Sequence, residues 1–99
     1  MNSDTDSPQN EDDFETLRST PVEDILGNHI FHLIQLSAVQ LSGEPPQLAA
    51  AQLTIDVVAA MINAGGERLG PHAQLYRTAV AEVQQVYVRA VSARGGAAS

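Results

Sequence analysis

The stretch Leu69–Ala93, LGPHAQLYRTAVAEVQQVYVRAVSA, decides the fold. At about 100° per residue, Leu75, Tyr76, Ala79, Val80, Val83, Val86, Tyr87, Ala90 and Val91 share one broad side. Gln74, Arg77, Thr78, Glu82, Gln85, Arg89 and Ser92 fill the other, and only Val88 is out of place. The valines lower helix propensity, yet the period is 3.6 and not 2, so the segment reads as an amphipathic helix over about 71–93. Leu69, Gly70, Pro71 and His72 read as its start: Pro71 fixes the backbone at the first helical position and Leu69 packs as a hydrophobic staple. His72 therefore reads as part of the turn.

Upstream, Gly65-Gly66 ends another helix over about 47–64. Leu48, Ala51, Ile55, Val58, Ala59 and Ile62 fall on one side of it. Leu53, Val57 and Met61 fall on nearly the opposite side, and Gln52, Asp56 and Asn63 make a narrow polar stripe. A helix that is apolar nearly all round needs cover on both sides. In so small a domain, this predicts a homodimer through Leu53, Val57 and Met61, because a core of this size is only marginally stable alone.

A first helix is expected over about 21–42. Thr20 and Glu23 have capping-box spacing, Pro21 suits the first helical position, and Glu23 and Asp24 suit the positive end of the helix dipole. Val22, Ile25, Leu26, Ile30, Leu33, Leu36 and Leu41 recur at helical spacing, widened by Phe31, Ile34 and Val39. Gly27 is either a weak spot or the site of a close helix crossing. Gly43 and Pro45-Pro46 stop the helix. The expected fold is thus all-α: a three-helix, antiparallel, up-down-up domain over 20–93, with a flexible tail at 94–99.

Charge is divided unevenly. Of the net −7, all lies in residues 1–24, while residues 25–99 hold four acids and four arginines and are neutral. Residues 1–19 read as a disordered acidic arm, since only Phe14 and Leu17 are large and apolar there. The arm reads either as a solubilising tail or as a docking segment, whose motif DDFETL offers Phe14 and Leu17 to a basic protein partner.

Three segments in order, PVEDILGNHIFHLIQLSAVQLSG, LAAAQLTIDVVAAMINAGGERLGPHA and LYRTAVAEVQQVYVRAVS, resemble a family of small bacterial proteins, common in actinobacteria, catalogued as a domain of unknown function, serial 1844. The LGPHA turn is the most specific piece. The chain departs from that pattern at Leu48–Ala51, where such proteins carry charged residues. The resemblance implies a helical fold in the cytoplasm and supplies no catalytic residue.

Function classes narrow by exclusion. A neutral body without lysine or a basic stripe argues against nucleic acid. With no cysteine there is no disulfide, thiolate metal site or thiol chemistry. His29 and His32 lie three apart and His72 far off, with no metal-ligand spacing, and no catalytic triad or phosphate loop is present. The polar N-terminus is unlike a signal peptide, and the apolar runs are interrupted by Gln52, Thr54 and Asp56, so no membrane segment is expected. The expectation is a cytoplasmic protein that is no enzyme, holds no cofactor or metal, and binds itself and an unknown protein. Tyr76 and Tyr87 read as boundary residues with their hydroxyls in water, or as a partner-facing pair. The alternatives are a regulatory domain with an apolar pocket between helices and a translation- or ribosome-associated accessory protein.

Overall fold

The computed structural model describes residues 13–98 and, among them, is all-α with no strand. Four α-helices follow one another: α1 over residues 13–19, α2 Val22–Ser42, α3 Leu48–Gly65 and α4 Ala73–Ala98, with a 3-10 turn at Gly66–Leu69 before the last. The three long helices were expected within two residues at most ends; the short one was not. The arm predicted to lack structure over 1–19 is helical from residue 13, while residues 1–12 lie outside the described residues.

That extra helix removes the predicted capping box. The Thr20 hydroxyl donates backwards to the Thr16 carbonyl, and no side chain caps α2, whose cap residue is Pro21. The backbone carbonyl of Pro21 accepts the first α2 bonds, from Asp24 N at 3.0 Å and Ile25 N at 3.4 Å. Glu23 does not reach back to Thr20; its stem lies across the domain beside Gly70. Thr20 belongs to the end of one helix rather than the start of the next.

At the other end of α2, Gly43 leaves the helix in extended conformation, and the Glu44–Pro45 peptide is cis. The chain turns at once into α3, held by Gln47 N–H on the Gln40 carbonyl at 2.8 Å. Gly65 closes α3, and its lack of a side chain admits Leu69, since a Cβ there would sit 2.6 Å from Leu69 Cγ. Gly66 and Gly70 take φ of +54° and +95°, conformations that a residue with a Cβ adopts only under strain. The two together make the tight turn that buries Leu69. Helix α4 begins at Ala73, two residues later than predicted, with Ala73 N–H on Gly70 O and Tyr76 N–H on His72 O. It also runs on through the predicted flexible tail to Ala98, across Gly95 and Gly96.

The core is small. Ile30 and Leu41 from α2, Ala51, Ile55, Val58 and Ile62 from α3, Leu69 from the turn, and Ala73, Val80 and Val83 from α4 are buried together. Ser37 is buried among them and satisfied by donating to the Ile34 carbonyl at 2.7 Å. Helix α3 is packed by both α2 and α4, which also touch each other. The Gly27–Tyr76 crossing explains the α2–α4 approach: a Cβ at Gly27 would collide with the Tyr76 hydroxyl. The domain is thin, 61 × 37 × 15 Å in extent, with a radius of gyration of 18.1 Å where a compact chain of about 100 residues has about 13 Å.

Candidate interaction surfaces

Much of the apolar surface is open. Val22, Phe31, Leu36 and Val39 on α2, and Leu75, Val86 and Val91 on α4, are all exposed, as is Val88, which the sequence places on the polar side. The apolar residues of α4 share one broad side in the sequence. Two packing neighbours cover only its middle, so Val80 and Val83 are buried, whereas Leu75 and Val86 at its edge are not.

The sites predicted for self-association divide. Leu53 is 66% and Val57 45% exposed on the outer side of α3, as a face awaiting cover requires. Met61 does not join them: it is half-buried and packs on the core, lining a small cavity with Leu26 and Leu69. Its place is instead taken by alanines. Ala49, Leu53, Val57, Ala60 and Ala64 recur at spacings of three and four, within an arc of about 80°, and all five are exposed. The alanines carried no signal for sequence reading, since alanine suits any position of a helix.

Tyr76 and Tyr87 are both half-buried and packed on the core, as boundary residues. Tyr87 donates its hydroxyl to Gln52 Oε1 at 2.9 Å, tying α4 to α3, and Tyr76 lies in the crossing with Gly27. Phe14 and Leu17, predicted to meet a partner, are exposed on α1.

A second surface was not legible in the sequence. Where α1, α2 and α4 meet, a shallow groove of about 630 Å³ is lined by Leu17, Phe31 and Leu75, with Asp24, His29, His72 and Tyr76 around it. The LGPHA turn thus carries His72 to the same groove as His29, 43 positions away in the chain. Among the described residues no three histidine or acidic side chains come together to hold a metal ion.

Arg77 is paired with Glu67 at 3.3 Å, and Arg68 donates to the Ala64 carbonyl at 2.9 Å. Within Leu48–Leu69 an 18-residue stretch has a mean hydropathy of 1.5, which by length and composition alone is enough to cross a bilayer. Asp56 and the neighbouring polar residues do not lower its mean enough to remove it from that class. The core helix of a soluble bundle passes the same test, and one side of α3 is such a core face.

No family model, curated protein or solved structure matches the chain.

Proposed function

We propose that this chain is a non-catalytic protein-interaction module that associates with itself through the outer side of α3. One observation carries the reading: Ala49, Leu53, Val57, Ala60 and Ala64 make an uncharged exposed stripe on the central helix of a domain only 15 Å thick. Full burial of a side chain the size of Val or Leu contributes about 1.5–3 kcal/mol, so a face of this kind is driven toward a partner. In this reading the three long helices run up, down and up. Tyr76 beside Gly27 and Tyr87 beside Gln52 are the contacts that such an order requires. The protein works in the cytoplasm, α3 is a bundle helix rather than a bilayer span, and membership of the serial 1844 family is part of the same proposal. Phe14 and Leu17, preceded by the acids of the arm, serve a further protein partner of basic character.

The test is light scattering of the wild type and of Val57→Asp across micromolar concentrations. The wild type should rise from monomer to dimer mass, and the variant should stay monomeric with unchanged helical circular dichroism. A folded wild type that remains monomeric throughout would sink the reading.

A second reading has its own observation. The groove shared by His29 and His72 is large enough for a small molecule and is edged by Asp24 and Tyr76. In that case the domain is a ligand-binding regulator, and substitutions at Leu75 and Phe31 should change binding of the ligand while Val57→Asp should not.

A further inference from the structure

Accepting self-association as proposed above, we infer that two copies pack α3 against α3 in antiparallel register, with the two-fold axis crossing near Val57. The inference turns on how the exposed stripe is built. Each of the other long helices interrupts its outer apolar residues. Those of α2 are broken by His29 and His32, and those of α4 by Glu82. From Ala49 to Ala64 the stripe of α3 carries neither charge nor imidazole for about 22 Å, taking 1.5 Å per residue.

Its size pattern is complementary to its own reverse. In antiparallel pairing centred between Asp56 and Val57, Ala49 meets Ala64 of the second copy, and Leu53 meets Ala60. Each Leu53 then faces an alanine while the two Val57 side chains meet near the axis, and both halves of the contact are the same, as an isologous interface demands. Parallel pairing sets Leu53 on Leu53 and Ala60 on Ala60, crowding one end and leaving the other loose. Charge agrees. Glu44 lies just before α3 and Arg68 just after it, and both are exposed. The antiparallel register carries each Arg68 toward Glu44 of the second copy, whereas the parallel one sets like charges side by side.

The same geometry sets the strength. A single helix stripe of this length buries on the order of 400 Å² per copy, half the roughly 800 Å² of a standard stable interface. The dimer is therefore a weak, reversible one.

Because the chain has no cysteine, any disulfide in a single-cysteine variant reports this contact alone. Full-length Leu53→Cys and Ala60→Cys are mixed in equal amounts and oxidised gently, with Val57→Cys oxidised separately. Wild-type sedimentation velocity runs alongside. Expected are a mixed 53–60 disulfide in excess of either homodisulfide, and efficient 57–57 linkage, since a disulfide needs Cβ atoms about 4 Å apart. A wild-type dimer that yields 53–53 and 60–60 linkage, or none of these, overturns the register and leaves self-association standing. A wild type that sediments as a monomer at every concentration overturns both.

Discussion

The two sides of α3 are made of the same kinds of residue and meet opposite surroundings. Ala51, Ile55, Val58 and Ile62 are no more than 3% exposed; Ala49, Leu53, Val57, Ala60 and Ala64, half a turn away, are open. Nothing in the transfer free energy of a valine separates Val58 from Val57. The difference is that α2 and α4 both approach from one side: they cross where Gly27 admits Tyr76, and the turn leading into α4 folds back on α3 where Gly65 admits Leu69. The inner side is held by the fold. The outer side is left open.

Substitutions divide along that line. The largest effect belongs to Val58→Asp, which puts an unpaired carboxylate at a fully buried position. A loss of more than about 4 kcal/mol is expected, seen in urea unfolding as a chain unfolded without denaturant. Ile62→Ala should cost about 2–5 kcal/mol by the same assay, as cavity-forming changes do.

Gly27→Ala comes next. Helix propensity alone favours alanine by about 1 kcal/mol. The collision with the Tyr76 hydroxyl should reverse that sign and destabilise by about 1–2 kcal/mol. Adding Tyr76→Phe should recover part of the loss. If the two changes are additive in a double-mutant cycle, the crossing is not what holds α4 against α2.

On the outer side the pattern inverts. Val57→Asp should leave the unfolding free energy of the dilute monomer within about 0.5 kcal/mol and weaken association by more than tenfold. A large loss of monomer stability would mean that this side is part of the core after all. The smallest effect is expected of Asp56→Asn. Asp56 borders the stripe near its centre, so antiparallel pairing brings two of these carboxylates together at the rim. Removing them should tighten the dimer a few fold at low salt and hardly at all at high salt, as sedimentation equilibrium would show.

The fold was legible where periodicity carried it. The buried side of α3 was read residue by residue, because Leu48, Ala51, Ile55, Val58, Ala59 and Ile62 share one direction at helical spacing. The sequence also marked Leu53 and Val57 as a separate side. Capping was misread at Thr20, since the same hydroxyl suits the end of a preceding helix as well as the start of the next. Burial along α4 was not legible: period shows which residues share a side, and not how much of that side the neighbours reach. The meeting of His29 with His72 had no sequence signal, because it depends on a crossing set by Gly27 and a turn set by Gly66 and Gly70.

The placement of the two tyrosines has a practical consequence. The chain has no tryptophan, so its near-ultraviolet signal rests on Tyr76 and Tyr87 alone above the weak phenylalanine bands. One sits where α4 meets α2 and the other where α4 meets α3, so each acts as a built-in optical probe of a different seam. Melting curves of Tyr76→Phe and Tyr87→Phe read those seams one at a time. Coincident midpoints would identify α4 as letting go of both neighbours in one cooperative step, and separated midpoints would reveal the order in which it peels away.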